Sequence, residues 1–320
     1  MNEILMYSVA IPAFIVTMLG EYWWIHRRDT PGTAPMRGYH PSDTAASLTL
    51  GIGYLVLSAG WKHIQDPFYA SLYQMRVFEF DSSPFSWVLL FILQDFFFYW
   101  YHRTNHQHRI LWAGHVNHHS SEHYNLSTAL RQSWSSYVTS FLFYIPILFL
   151  GFHPAMLLTA ALLHLFYQYW IHTEAIGQLG LLEYILMTPS HHRVHHAVNG
   201  PYLDRNHGGM FIIWDKLFGT FEPEVETPVY GITTNIGTFN PVRIAFHEYA
   251  ALWRDVREAD SLRTALGYVF RAPGWQPGAR HPATTDTPVQ SSEEIFPAMM
   301  GGPGPKNSSP PPNAIRTRQP

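Results

Sequence analysis

Histidine is the most abundant candidate for chemistry in this sequence. The chain has 20 histidines, as many as its lysines and arginines together. Four of them fall within nine residues of the stretch WAGHVNHHSSEHYNLSTALRQSW, at positions His115, His118, His119 and His123. A neutral imidazole is a common metal ligand at physiological pH. Such a density predicts a metal site.

The histidines recur in three groups with helical spacing. These groups are His102-x3-His106, His115-x2-His118-His119 and His192-x2-His195-His196. Side chains three or four residues apart lie on one face of an α-helix, so we expect the imidazoles of each group to converge on one point. Eight imidazoles clustered without a metal would suffer desolvation or mutual repulsion, which disfavours a purely structural role.

The lack of cysteine restricts the kind of metal site. No cysteine occurs in the chain, which excludes disulfides, cysteine-ligated zinc, iron-sulfur clusters and thiolate-bound haem. Imidazole and carboxylate groups must therefore hold any metal. One zinc ion takes four ligands, and an iron of the facial-triad type takes two histidines and a carboxylate. Eight histidines exceed either set, so the sequence predicts two metal ions.

Composition and hydropathy indicate a lipid environment. Charged residues make up 13% of the chain and aromatic residues 16%, and the formal net charge is -3. Nucleic-acid binders need a basic face, so nucleic acid is excluded as a partner. Five apolar segments could enter a bilayer core of about 30 Å. They are Ile4 to Ile25, Ala45 to Trp61, Phe85 to Tyr101, Tyr137 to Phe152 and Pro154 to Ile171.

These segments predict an all-α fold. We expect an integral membrane bundle of about four to five hydrophobic helices with a cytoplasmic, histidine-rich helical cap. The last two segments must form a hairpin, either spanning or re-entrant, because only a tight turn separates them. A signal peptide is the alternative for the first segment, but Arg27 and Arg28 follow the apolar run instead of preceding it.

Basic residues in the connections predict the orientation. With the N-terminus outside, the two inner connections hold Arg27, Arg28, Arg37, Arg103, Arg109 and Arg131. The outer connection holds only Lys62 and Arg76. Because positive charge favours the cytoplasmic side, this asymmetry places the histidine groups at the cytoplasmic face.

Three regions follow from these patterns. Residues 1–84 are predicted to contain N-terminal membrane helices and a connecting loop, and residues 85–272 a catalytic domain. Residues 273–320 are rich in Pro, Gly, Ser and Thr without periodicity. Such a segment cannot bury enough apolar surface to offset its ordering entropy, so we expect a disordered tail.

The three histidine groups resemble those of the fatty acid hydroxylase and sterol desaturase superfamily, which are integral membrane di-iron oxygenases. Within it, the strings WAGHVNHHSSEHYNLSTALRQS, QYWIHTEAIGQLG, TPSHHRVHH and IIWDKLFGTFEPE look like those of the alkylglycerol monooxygenase family. The resemblance covers Phe85 to Asp260. It implies two iron ions, tetrahydrobiopterin as reductant, and hydroxylation of the ether-bearing carbon so that a hemiacetal collapses to an aldehyde and glycerol. It also implies His172 as a further metal ligand.

Three polar residues are candidate catalytic groups beyond the metal ligands. Asp95 lies inside an apolar segment, where a carboxylate is costly unless paired, so we expect it to accept the N–H of a ligand imidazole. Glu174 and Asn125 follow His172 and the second histidine group. Each is predicted to orient a ligand or the oxidant, or else to cap a helix end.

Several functions remain open from the sequence. The leading one is a membrane monooxygenase with a lipid substrate, since oxidising an unactivated C–H bond needs a redox-active metal such as iron. A sterol or fatty acyl desaturase or hydroxylase is the alternative within the superfamily. A membrane zinc hydrolase is weakened because His247-Glu248 lacks the second histidine of HExxH, and a metal transporter because its sites usually lie at the membrane midplane. Electrons must come from an external donor or a diffusible reductant.

Overall fold

The computed structural model describes residues 3–28 and 36–278, with side chains from Ser8 onward. This part of the chain is all-α, as predicted, and contains no β-strand; two isolated bridges pair Leu186 with Phe211 and Ala197 with Tyr230. The α-helices are α1 (Glu3–Arg28), α2 (Pro41–Gln74), α3 (Pro84–Gln107), α4 (Arg109–His119), α5 (Ser136–Phe143), α6 (Ile145–Leu150), α7 (Pro154–Trp170), α8 (Pro189–His195), α9 (Ile213–Phe218), α10 (Pro241–Arg257) and α11 (Leu262–Phe270). Short 3-10 helices cover Leu126–Leu130, Gly180–Tyr184 and Gly200–Tyr202.

Two helices are long and apolar enough to cross a membrane. They are Ser8–Arg28 within α1 and Pro41–Gln74, which is α2. Both expose large apolar side chains along their length, such as Val16, Ile52 and Val56. A soluble fold would bury such side chains, whereas a bilayer can cover them. The second span is much longer than the sequence pattern predicted.

The fourth apolar segment is helical but interrupted. Tyr144 separates α5 from α6, and Pro146 stands near the start of α6, where its missing N–H costs no helical hydrogen bond. Gly151 ends α6 with φ 116 and leads into the turn before α7. A Cβ at Gly151 would collide with the Phe78 carbonyl, so only glycine fits this turn.

Helix α3 connects the apolar part of the molecule to the polar part. Its Leu90 is fully buried in a core with Ile147, Phe152 and Leu157 from α6, the following turn and α7. Its last turns continue beyond this core and carry His102 and His106. One residue of extended backbone, His108, separates α3 from α4, so the chain turns sharply and α4 packs back beside α3.

The region after α7 contains mostly short helices and irregular connections. Helix α10 is the exception, because its 17 residues form a longer helix that packs against α2 and α4. The structure describes residues 273–278, whereas the rest of the predicted tail, 279–320, lies outside the described residues.

Candidate metal centre

Nine histidines lie in two compact groups, which are called here the five-histidine group and the four-histidine group. The five-histidine group contains His102, His106, His115, His119 and His195. The four-histidine group contains His118, His172, His192 and His196. Within each group, one nitrogen from every imidazole lies within 4.8 Å of the others. These nine are the residues that the sequence and the family resemblance selected.

The structure divides the sequence groups in a way that the spacing did not predict. Histidines four residues apart lie in the same group, as His115 and His119 do in one group and His192 and His196 in the other. His118 and His195 instead join the opposite group. Four residues turn an α-helix by about 400°, leaving side chains about 40° apart, whereas adjacent residues are about 100° apart. The expectation that each sequence group converges on one point therefore held for His102 with His106 but was wrong for the other two groups.

In each group, one imidazole nitrogen lies within about 3 Å of two others, and a single proton cannot form hydrogen bonds to bridge all three. Nε2 of His115 lies 3.0 Å from Nε2 of His102 and 3.1 Å from Nε2 of His119. Nε2 of His172 lies 3.1 Å from that of His118 and 2.9 Å from that of His192. Two cis ligands about 2.1 Å from one metal ion would be separated by about 3.0 Å, so these spacings suit a shared cation.

Hydrogen bonds fix which nitrogen points inward. Nδ1 of His102 donates to the His207 carbonyl at 2.8 Å, and Nδ1 of His172 donates to the Gln168 carbonyl at 2.7 Å. Because a carbonyl only accepts, the Nε2 atom of each neutral ring presents a lone pair to its group. The Nε2 atoms of three further members are buried without a partner in the described structure, namely His106, His195 and His196.

Burial keeps these rings in the form that a metal requires. It lowers the pKa of His115, His118 and His119 well below the usual value, and neighbouring histidines lower it further. Burial has the same effect on the pKa of His192, His195 and His196. Neutral imidazoles with inward lone pairs fit a borderline metal ion such as iron.

A loop that the sequence reading missed orients three ligands of the five-histidine group. Residues 204–208, here called the acceptor loop, supply the His207 carbonyl for His102 and the Arg205 carbonyl for Nδ1 of His195 at 2.8 Å. The Asp204 carboxylate lies 3.2 Å from Nδ1 of His106. Such partners fix the orientation and basicity of ligand imidazoles. Backbone carbonyls carry no sequence signal, so spacing could not reveal this loop.

The acceptor loop has an unusual backbone that buried polar contacts maintain. Asp204 and Asn206 have φ 57 and 55, a conformation that non-glycine residues rarely adopt. The Asn206 amide donates to the carbonyls of His191 at 3.1 Å and Glu222 at 2.8 Å. These bonds stabilise the strained segment and tie it to α8.

Asp215 clamps the other end of this loop. Its carboxylate accepts from the backbone N–H groups of His207 at 2.7 Å and Gly208 at 2.8 Å, and from the Thr220 hydroxyl at 2.7 Å. Thr220 in turn lies 2.9 Å from the Tyr99 hydroxyl on α3. Burial raises the pKa of Asp215 to about 6, while the hydrogen bonds oppose that shift.

Asp95 lies in a buried network, but its partner differs from the predicted one. It accepts from Nε2 of His164 at 2.6 Å, and His164 belongs to neither histidine group. It also accepts from the Met210 N–H at 2.6 Å and the Trp214 indole at 2.8 Å. The prediction that Asp95 contacts a ligand imidazole was wrong. The carboxylate instead joins α3, α7 and the segment before α9.

Asn125 and Glu174 both contact the segment before α2. Asn125 caps the 3-10 helix Leu126–Leu130, and its amide donates to the Gly38 carbonyl at 2.7 Å. This is the capping alternative. Glu174 accepts from the Gly38 N–H at 3.3 Å, and burial raises its pKa to about 6. Among the described residues, neither side chain hydrogen-bonds to a histidine of the two groups.

Comparison with known proteins agrees with this geometry. Residues 87–220, which include all nine histidines, match the family model for fatty acid hydroxylase. This region is therefore similar to fatty acid hydroxylase domains. Human alkylglycerol monooxygenase is 42% identical over 273 residues, covering 84% of this chain and 60% of that protein. The zebrafish (Danio rerio) enzyme is 46% identical over 214 residues, covering 67% and 48%.

A more distant relative is the ornithine lipid hydroxylase OlsE of Rhizobium tropici, 30% identical over 161 residues, which are 49% of each protein. The chain therefore spans about half to three fifths of the length of these curated relatives. No solved structure matches it. Fatty acid hydroxylases depend on iron, and both histidine groups of this domain could hold a metal ion.

An apolar groove lies within the same matched region, away from its histidines. It has a volume of about 390 Å³ and is lined by Phe97, Trp100, Leu142, Phe143 and Pro146. Trp100 and His102 are two residues apart on α3, which places their side chains about 160° apart around the helix. The groove therefore faces away from the five-histidine group.

Proposed function

We propose that the chain is a membrane-bound di-iron monooxygenase that hydroxylates a lipid C–H bond and cleaves the ether bond of alkylglycerols. The observation that carries this proposal is the pair of histidine groups, each with inward lone pairs and spacings that suit one ion. The ether-lipid specificity is supported by similarity to alkylglycerol monooxygenases across most of the chain.

The proposed residues have distinct tasks. The five-histidine and four-histidine groups would each hold one iron, and with O₂ and two electrons the iron pair would supply the oxidant for an unactivated C–H bond. The acceptor loop keeps His102 and His195 in the required orientation through its carbonyls. Burial of both groups excludes water that would compete with the lipid.

The overall reaction balances with an external reductant. One oxygen atom enters the carbon next to the ether oxygen, and the other leaves as water with two protons and two electrons. The product is a hemiacetal, which breaks its C–O bond to give a fatty aldehyde and glycerol. Tetrahydrobiopterin, or another diffusible donor, would provide the electrons.

We further propose a multi-pass topology with the active site on the cytoplasmic side. Arg27 and Arg28 end α1, and their guanidinium groups stack on Trp23 and Trp24 at 4.1 and 4.4 Å. This combination is typical of a cytoplasmic membrane boundary. Asp43, in the first turn of α2, accepts from Ser121, which follows α4. The histidine-rich domain, proposed as residues 85–272, therefore lies beside this end of the spans.

The test combines metal analysis with turnover in one purified sample. The protein in nanodiscs is expected to bind two irons with a coupled Mössbauer signal, and to release fatty aldehyde from a 1-O-alkylglycerol with tetrahydrobiopterin. Replacing His118 with Ala should abolish both the aldehyde and the coupled signal, while His63→Ala, an exposed histidine on α2, should change neither. Oxidation of a sterol or free acyl lipid without any aldehyde would overturn the ether-lipid assignment. Zinc with no redox turnover would overturn the monooxygenase itself.

A further inference from the structure

Helices α10 and α11 present apolar side chains outward. On α10, Val242, Phe246 and Trp253 are 55%, 50% and 64% exposed. Their spacing places them within about 40° of one another around the helix, so they form one stripe. On α11, Leu262 and Phe270 belong to a second stripe, and Leu262 is 75% exposed.

On α10, the side that packs against the rest of the fold is opposite the exposed stripe. The opposite side of α10 is already packed, because Ile244 and Ala245 are buried against Ala46 and Leu50 of α2. A surface helix of a globular protein normally has one apolar face directed to the core. An additional exposed apolar stripe requires a different partner.

Charge on α10 is divided between the two sides. The acidic residues face inward, where Glu248 and Asp255 accept from Arg109 of α4 at 2.7 and 2.6 Å. The basic residues flank the exposed stripes, and they are Arg243, Arg254, Arg257 and Arg263. Within residues 3–28 and 36–278, no side-chain hydrogen bond or ion pair involves these four guanidinium groups. The exposed face is therefore apolar and cationic.

The stripe on α10 lies close to the part of α2 where its exposed apolar surface begins. The Phe246 ring lies 6.0 Å from the Trp134 ring, and the Trp134 indole donates to the Leu50 carbonyl at 3.0 Å. From Leu48 onward, α2 exposes the large apolar side chains that a bilayer would cover. An apolar stripe at this level, with arginines beside it, suits the boundary between lipid and water.

We propose that α10 and α11 form an in-plane membrane anchor that binds a bilayer containing anionic lipids. The apolar stripes enter the interfacial region, and the flanking arginines contact lipid phosphates, as in interfacial amphipathic helices. The partner is the bilayer that the two spans cross, so the inference rests on that part of the proposed function. Because Arg109 joins α10 to the start of α4, the anchor would hold the helix carrying His115 at the membrane surface.

The chain offers a simple test because it contains no cysteine. Single-cysteine variants can carry a nitroxide label in the full-length protein, reconstituted in nanodiscs of phosphatidylcholine and phosphatidylglycerol. Oxygen, which concentrates in lipid, should then relax the label of Trp253→Cys more than a water-soluble nickel complex does. The matched control is Glu258→Cys, at the exposed residue that follows the last turn of α10 outside the stripe, and its label should favour nickel.

A label at Ile52→Cys separates this proposal from the membrane location itself. If Ile52 is accessible to lipid while the Trp253 label favours nickel, the anchor is refuted and the span remains. If both labels favour nickel, the membrane location fails as well. If the Trp253 label is shielded from both agents in detergent and in nanodiscs, a protein surface covers the stripe, either residues 279–320 or a second copy, and the anchor is refuted.

A separate experiment tests whether the anchor requires anionic lipids. Near an anionic surface each basic residue contributes about 1 kcal/mol, which is about 5-fold in a population ratio. Arg254→Gln and Arg257→Gln should therefore each lower the ratio of lipid-exposed to water-exposed label at position 253 by about 5-fold. The decrease should occur only in nanodiscs containing phosphatidylglycerol. Equal decreases in purely zwitterionic nanodiscs would contradict the proposed contact with lipid phosphates.

Discussion

The substitution Asp215→Asn should selectively weaken one of the two candidate metal sites. The Asp215 carboxylate accepts from the N–H groups of His207 and Gly208 with its two different oxygens. Asn keeps one oxygen but puts an amide N–H₂ where the other was, so one backbone donor faces another donor. Leaving such a buried donor unsatisfied costs about 1 to 3 kcal/mol. The acceptor loop should shift to relieve it, and its carbonyls move with it.

The expected effect is a loss of metal affinity in the five-histidine group alone. His102 and His195 rely on this loop for their Nδ1 acceptors. Changes to such outer partners typically cost about 10- to 100-fold in affinity. Metal titration of the apo protein, followed by mass spectrometric metal counting, should show two ions per chain in the wild type. At limiting metal, Asp215→Asn should retain about one.

A matched carboxylate separates positioning from general destabilisation. Glu183 also accepts three hydrogen bonds, from the Leu179 N–H and the hydroxyls of Thr188 and Ser190, but it does not contact the acceptor loop. Glu183→Gln should lower the unfolding temperature without a selective loss in the five-histidine group. If Asp215→Asn lowers the unfolding temperature while both ions bind with wild-type affinity, the positioning argument is refuted.

Three further predictions use other parts of the structure. His195→Ala should remove iron preferentially from the five-histidine group and abolish turnover, and normal iron content by Mössbauer spectroscopy would contradict the ligand assignment. A tag inserted near Gly32 should be accessible from the cytoplasm and one near Ser71 from outside, and protease protection with the opposite pattern would refute the topology. Truncation after Pro277 should preserve aldehyde production within about 2-fold, because Arg271, which accepts from the Arg109 N–H at 2.9 Å, is retained. Loss of folding on size-exclusion chromatography would show that the tail is structural.

The sequence was informative wherever the physics is local. Helical spacing identified the histidines because residues four apart, such as His102 and His106, must face the same way in any α-helix. The apolar segments likewise predicted helices, since an unbroken apolar run in lipid must satisfy its own backbone. The break at Tyr144 was not predicted, although Pro146, two residues later, is a local signal for the start of a new helix.

Residues in the outer part of the site were harder to predict. Asp95 was recognisable from the sequence as a buried carboxylate that needs a partner. The sequence does not show which histidine is that partner, and tertiary packing placed His164, not a metal-ligand candidate, beside it. An asparagine at position 125 could either cap a helix or orient a ligand, and in the structure it caps the 3-10 helix Leu126–Leu130. A polar residue's need for a partner is visible in sequence, whereas the identity of the partner is not.

The sequence by itself determined the helical class and the eight imidazoles of the three spaced groups, to which the family resemblance added His172. The lack of cysteine excluded sulfur ligands. Only the tertiary structure decided that His118 and His195 cross to the opposite groups, and that the carbonyls of residues 205 and 207 orient the ligands. The reason is physical. Periodicity fixes directions within one helix, but which metal a side chain reaches depends on the angles between α4, α8 and α3, and those angles follow from packing of the whole chain.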